Sequence, residues 1–196
     1  LQRVEALRRM EEHFEGYNES VRFVMNEYSE KAIPGAGEIY GPVSKIISTD
    51  PEYVVAIETA LGANMQNIVV DNEATAKAAI SALKSAKAGR ATFYPLSAIK
   101  PGAEPDEIQA ASKFKGYIKR ADKLTRFDKK YSNVIEWLLG RTLIFDNIDN
   151  ASAAAISLKY KVRMVTLDGQ GINAGGSYTG GSAKNRSGVL SRSMEI

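Results

Sequence analysis

The sequence predicts an α+β (mixed α/β) fold of two pseudo-repeated subdomains, with helices packed on sheets and a coiled-coil helix flanking the body. Three observations predict it: an apolar stripe of period three and four at the amino end, an ungapped internal repeat, and helix and strand signals that alternate within each copy. With 196 residues, 44% of them hydrophobic, the chain can bury one core or two small ones without staples.

The stripe comes first. Leu7, Met10, Phe14, Tyr17, Val21, Val24 and Tyr28 follow one another at spacings of three and four, as in a coiled-coil seam, while Arg8, Arg9, Glu11, Glu12, Glu15, Asn18, Glu19 and Arg22 make a polar outer face. An amphipathic helix packed on its own domain explains the same spacing, and Gly16 weakens a continuous helix. The segment 1–31 is read as an incoming coiled-coil arm that ends before Pro34, with Gly35 and Gly37 at the exit.

The repeat follows. Residues 43–62, VSKIISTDPEYVVAIETALG, align without a gap on 121–140, ADKLTRFDKKYSNVIEWLLG, pairing Lys45 with Lys123, Asp50 with Asp128, Tyr53 with Tyr131 and Gly62 with Gly140. After a three-residue gap, Asp71-Asn72 falls on Asp146-Asn147, each before an alanine-rich segment. Each copy reads as a capped helix, a glycine stop, an apolar strand, a second helix and another strand. The first copy has helices at 51–62 and 73–87 with strands at 66–71 and 90–95; the second has helices at 129–139 and 149–159 with strands at 141–146 and 162–167. Pro95, Pro101, Gly102 and Pro105 mark 95–113 as a connector. The expected division is 32–113 for the first subdomain and connector, 114–185 for the second, and 186–196 for the start of a returning arm.

Composition excludes several chemistries. No cysteine is present, so neither a disulfide nor a thiolate metal site can form, and a reducing compartment is expected. His13 is the only histidine and sits in the amino-terminal helix, which leaves the body without a histidine base. No GxxxxGK[ST] stretch exists for a nucleotide phosphate. Gly169, Gly171 and Ala174 satisfy a relaxed GxGxx[GA] pattern, but the glycines that follow cannot sustain the helix that a dinucleotide site needs. We therefore expect no catalytic residue, no metal and no cofactor. No signal peptide or bilayer-length apolar run is visible, and the expected location is the cytoplasm, with no membrane partner.

Two further features bear on partners. Residues 1–30 carry four Lys or Arg against seven Asp or Glu, whereas 77–130 carry thirteen against five. The basic middle suits a polyanion such as DNA, and it also suits a plain solvated surface. In GGSYTGG, the glycine pairs Gly175-Gly176 and Gly180-Gly181 bracket a β-prone triplet, Ser177, Tyr178 and Thr179. A bulged edge strand that meets another backbone explains it, as does a surface loop.

The ordered blocks AIETALGANMQNIVVDNEATAKAAISALK, GRATFYPL, WLLGRTLIFDNIDNA, MVTLDG and GGSYTGGS resemble the hinge of bacterial SMC chromosome-partition proteins, over roughly residues 35–185. VLSRSMEI resembles the start of the returning arm. The resemblance implies a homodimer, the two subdomains of one chain meeting those of a second copy, with Gly175 to Gly181 at the interface. It also implies weak, sequence-independent DNA contact, mapped to Lys84, Lys87, Arg90, Lys184, Arg186 and Arg192, and a role in chromosome condensation on the nucleoid. ATPase heads would belong to the ends of the full protein. A coiled-coil scaffold with a monomeric globular head, or a nucleotide-binding enzyme domain, are the competing classes.

Overall fold

The computed structural model describes residues 1–182 and 188–196. In chain order the elements are α1 (Gln2–Glu12), α2 (Glu19–Ser29), β1 (Ile39–Pro42), α3 (Val43–Ile46), β2 (Ile47–Thr49), α4 (Val54–Leu61), β3 (Ile68–Val70), α5 (Glu73–Ala86) and β4 (Phe93–Pro95). There follow α6 (Asp106–Ala110), β5 (Tyr117–Arg120), β6 (Thr125–Phe127), α7 (Ser132–Leu139), β7 (Thr142–Phe145), α8 (Ile148–Ser157), β8 (Arg163–Thr166), β9 (Gly171–Ile172), β10 (Tyr178–Thr179) and α9 (Val189–Met194). Single 3-10 turns at Pro51–Tyr53 and Lys129–Tyr131 lead into α4 and α7.

The chain forms two compact units: Leu1–Ile47, Ala63–Ile99 and the described residues of Ser187–Ile196 make the first, and Ser48–Gly62 with the described residues of Lys100–Arg186 make the second. This differs from a linear cut after residue 113. Residues 48–62 leave the first copy of the repeat, and the connector from residue 100 onward joins the second unit. The physical reason is where the apolar faces go: Ala56, Ile57, Ala60 and Leu61 of α4 are buried, and α4 packs on β8. The helix is anchored there by Arg163, whose guanidinium donates to the carbonyls of Ala60 at 2.6 Å and Thr59 at 3.2 Å, closing the open end of α4.

In the first unit a three-stranded sheet runs β1-β3-β4, with β1 antiparallel and β4 parallel to β3, so that β3-α5-β4 is a βαβ crossover. In the second, five strands run β10-β9-β8-β7-β5; β7-α8-β8 is the matching crossover and β5 the matching antiparallel neighbour. The two copies agree in detail. Asn72 and Asn147 cap α5 and α8 by accepting from the amides of Thr75 (3.1 Å) and Asn150 (2.9 Å). Asp71 and Asp146 each accept from the following asparagine amide, at 2.8 and 2.7 Å. The ladders of β1 and β5 both slip register at equivalent places, between Ile39 and Gly41 and between Tyr117 and Lys119.

The amino-terminal stripe does not form one continuous seam. The helix stops at Glu12 and the chain reverses through Phe14 (φ +53°) and Gly16 (φ +85°) before α2 begins. Tyr17, Val21 and Val24 of the stripe are then buried in the first unit's own core with Ile68, Val70 and Leu83. Each such side chain contributes roughly 1.5–3 kcal/mol by leaving water, which outweighs continuing a helix through a glycine at about 1 kcal/mol. The second core gathers Leu143, Phe145, Ala154, Met164 and Ile172 beneath α8.

Candidate functional site

The glycine-flanked segment 175–181 forms the outer edge of the second unit's sheet. Tyr178 and Thr179 pair with Ile172 and Gly171 of β9, and among the described residues β10 has no second strand neighbour. Both are exposed. The Asn173 amide donates to the Ser177 carbonyl at 2.8 Å, closing a tight turn through Gly175 (φ +94°) and Gly176 (φ +109°). A Cβ on Gly175 would meet nothing within 4 Å in its own chain, whereas one on Gly180 would collide with Gln170. Gln170 holds the far end of the segment by accepting from the Gly181 amide (2.8 Å) and donating to its carbonyl (2.9 Å). Gly180 thus has a packing reason internal to the fold, whereas Gly175 and Gly181 (φ +132°), whose Cβ would meet nothing within 4 Å, have only their backbone angles.

Tyr178 is anchored from behind. Its hydroxyl bonds to Ser152 Oγ at 2.7 Å and to the Tyr160 hydroxyl at 3.2 Å, and the two tyrosine rings meet edge to face at 6.3 Å. Hydrogen bonding to Ser152 and then to Tyr160 lowers the Tyr178 pKa, and the bond to Tyr178 raises that of Tyr160. Nothing in the sequence pairs these residues, which come from α8, the turn after it and the edge strand.

The basic residues divide. Lys84 lies in the last turn of α5, Lys87 is its left-handed cap (φ +51°), and Arg90 precedes β4. All three are exposed, and none takes part in an ion pair among the described residues. Lys84 and Arg90 flank a shallow cavity of about 410 Å³ floored by Leu83 and Ala91. Lys184 and Arg186 lie outside the described residues. Arg192 does not join this surface. It is 8% exposed, and its Nε donates to Glu11 Oε1 at 2.7 Å while its Nη2 donates to the Glu15 carbonyl at 2.5 Å. A guanidinium so engaged cannot also hold a phosphate at the surface, which corrects its assignment to DNA contact.

Sequence reasoning missed what surrounds Arg192. Glu11, placed on the polar face of the amino-terminal helix, is buried at 7% exposure and also takes Lys45 Nζ at 2.7 Å. Lys45 further donates to the Glu11 carbonyl at 3.0 Å and stands 4.7 Å from the centre of the Phe14 ring. The end of α1, the start of the body and α9 therefore meet at one charged cluster. No local signal could have found it, because its members are brought together only by the fold.

The decoy glycines are accounted for. Gly169 sits in the turn after β8 with φ +84° and Gly171 opens β9, so a strand follows where a dinucleotide site needs a helix. Among the described residues no group of three His, Cys, Asp or Glu could hold a metal ion, and no helix is long and apolar enough to cross a membrane.

Comparison with known proteins agrees with this architecture of a duplicated α+β body between helical ends. The family described as the SMC proteins flexible hinge domain matches residues 36–155, and the chain belongs to that family. It is 40% identical to the chromosome partition protein Smc of Desulfitobacterium hafniense over 99% of this chain and 16% of that protein. It is 38% identical to that of Bacillus subtilis over 97% of this chain and 16% of the relative. The chain thus spans about a sixth of these relatives. Among solved structures it resembles an asymmetric dimer of the Geobacillus stearothermophilus SMC hinge domain, with TM-score 0.88, 36% identity, and coverage of 99% of this chain and 76% of that one. The Pyrococcus furiosus SMC hinge domain gives TM-score 0.68 at 32% identity, covering 94% of this chain and 88% of the other.

Proposed function

We propose that this chain is the homodimerisation hinge of a chromosome-partition protein, a non-enzymatic module that joins two coiled-coil arms and touches DNA. The observation that carries the reading is the exposed edge strand β10 between glycine pairs, since an edge strand with no second strand neighbour among the described residues, anchored by Tyr178 and Gln170, is a template for a second backbone. The related Geobacillus hinge, solved as an asymmetric dimer, supports self-association. Helices α1 and α9, fastened to one unit by the Glu11 cluster, are the roots of the incoming and returning arms.

Lys84, Lys87 and Arg90 are the proposed DNA contacts, with Lys184 and Arg186 as further candidates from the sequence. The exposure of Lys84, Lys87 and Arg90, with no ion pair among the described residues and no base-reading motif, favours phosphate contact, weak and indifferent to sequence. The site of action would be the nucleoid in the cytoplasm.

Light scattering at several concentrations tests the central claim. A dimer mass supports the hinge; a monomer at every concentration favours a scaffold with a monomeric head and overturns it.

A further inference from the structure

The duplicated halves differ at one matched place. Lys45 and Lys123 occupy equivalent positions of the repeat, and the strands before them, β1 and β5, carry the same register slip. In the first unit Lys45 is covered: the last turn of α1 sets the Glu11 carboxylate at 2.7 Å and its carbonyl at 3.0 Å from Nζ, with the Phe14 ring beside it. In the second unit Lys123 is exposed and makes no ion pair among the described residues. The covering elements are curtailed there. Helix α1, whose last turn covers Lys45, has no counterpart there, and α6, in the place before β5 that α2 takes before β1, has 5 residues against 11.

A groove of about 570 Å³ is left, bordered by Ile108, Gln109, Tyr117, Lys119 and Lys123. Its floor is apolar on one side, where Ile108 joins the core, and cationic on the other. Arg120 at its base is already satisfied, by Asp122 at 2.6 and 2.7 Å and by Glu104 at 3.1 Å. Glu104 shares that one guanidinium with Asp122 and, at 3.8 Å, with Glu136, so its end of the groove stays acidic, and the cations open to a ligand are Lys119 and Lys123 at the other end.

We infer that this groove docks the last turn of an acidic amphipathic helix from a partner protein, a carboxylate followed three positions later by an aromatic ring, in the way Glu11 and Phe14 cover Lys45. The carboxylate and the helix's own terminal carbonyls meet Lys123, complementing the negative end of the helix dipole, and the ring lies on Tyr117 and Ile108. Two lysines beside an apolar wall suit such a helix better than a nucleic acid backbone, which presents charge without an apolar face.

The chain supplies its own probe. A synthetic peptide of residues 2–17, lactam-stapled between Glu5 and Arg9→Lys on the exposed face of α1, keeps Glu11 and Phe14 while removing the cost of helix formation. Titrated into the intact isotopically labelled protein, it should bind saturably, one peptide per chain, and shift the amide resonances of Gln109, Tyr117 and Lys119. Lys119→Glu with Lys123→Glu should weaken binding at least about tenfold, as should Glu11→Gln with Phe14→Ala in the peptide. The inference is overturned by an absence of saturable binding, by equal affinity for the double variant, or by shifts centred on Ser44 and Lys45, which would mean exchange with the chain's own segment. It is overturned equally if a DNA oligonucleotide displaces the peptide, or if DNA affinity falls in the double variant with Lys84, Lys87 and Arg90 intact. None of these outcomes depends on the protein being a dimer.

Discussion

Arg192 donates to Glu11 at 2.7 Å across 181 positions of sequence, both side chains 9% exposed, so that the two ends of the described chain are held by one buried ion pair. Removing one partner of such a pair leaves the other charge desolvated without compensation, at a cost of about 3–5 kcal/mol. Glu11→Gln should therefore lower the thermal midpoint of the first unit by several degrees, read by circular dichroism. Replacing both Glu11 and Arg192 with Met should recover part of that loss, the remainder being Lys45, which loses its carboxylate and keeps only the carbonyl of residue 11. Equal damage from the single and double variants would show that the pair contributes only packing.

Gly175 separates the dimer reading from local strain. Its added Cβ meets nothing within 4 Å among the described residues, so Gly175→Ala costs only the positive φ, about 1–3 kcal/mol. A partner backbone against this turn would add a clash, and the variant should dissociate to folded monomers at low micromolar concentration, measured by sedimentation. The full replacement of Gly175, Gly176, Gly180 and Gly181 is a poorer test, because the Gly180 position collides with Gln170 even in a monomer. Wild-type dimer affinity in Gly175→Ala would remove this turn from the interface.

Charge reversal of Lys84, Lys87 and Arg90 to Glu should weaken binding to every DNA sequence alike and leave the dimer mass unchanged. Three lost phosphate contacts should reduce the slope of log affinity against log salt by about 2.7, taking ~0.9 per contact. Fluorescence anisotropy at four salt concentrations reads it. Arg192→Gln should by contrast destabilise the fold before it alters the salt slope, since its guanidinium faces Glu11.

Tyr17 gives an alkaline signature. Burial, opposed by its hydrogen bond to Ser44 Oγ at 2.6 Å, pushes its phenol from 10.0 up to about 12. Because the folded pKa is the higher one, the neutral phenol's contribution is complete below pH 10 and is lost as pH rises through the folded value, at about 1.4 kcal/mol per pH unit between 10 and 12. Urea unfolding at pH 9, 10 and 11 should show this fall in the wild type and a smaller one in Tyr17→Phe. Parallel curves would mean that other groups govern alkaline unfolding.

Arg163 should matter to the second unit rather than to any ligand. Its bonds to the Ala60 and Thr59 carbonyls close the end of α4, and Arg163→Met would leave two carbonyls without that donor, a loss of about 1–3 kcal/mol. Hydrogen exchange should quicken in α4 first. Unchanged exchange there would show that the helix is held by its apolar face alone.

The sequence by itself determined the duplication and most elements, because these rest on short-range physics. Asn72 and Asn147 cap helices through amides three residues on, and the apolar runs ending at Val70 and Phe145 make strands wherever a sheet accepts them. It left the glycine pairs open between an edge strand and a surface loop, and the positive φ of Gly175, Gly176 and Gly181, which few side chains tolerate, appears only in the fold. What only the tertiary structure decided are the matters in which two distant segments compete for one surface. A spacing of three and four says that Tyr17, Val21 and Val24 need a partner, and only the fold shows that Ile68, Val70 and Leu83 of the same chain are nearer than any second helix. A run of lysines and arginines says that charge is abundant, and only the fold shows which charges are consumed. Arg192 faces Glu11 and Lys45 is covered by it, while Lys84, Lys87, Arg90 and Lys123 stay in water. Contact burial acts over a few ångströms and exposed charges over about ten, and those distances are set by topology rather than by separation along the chain.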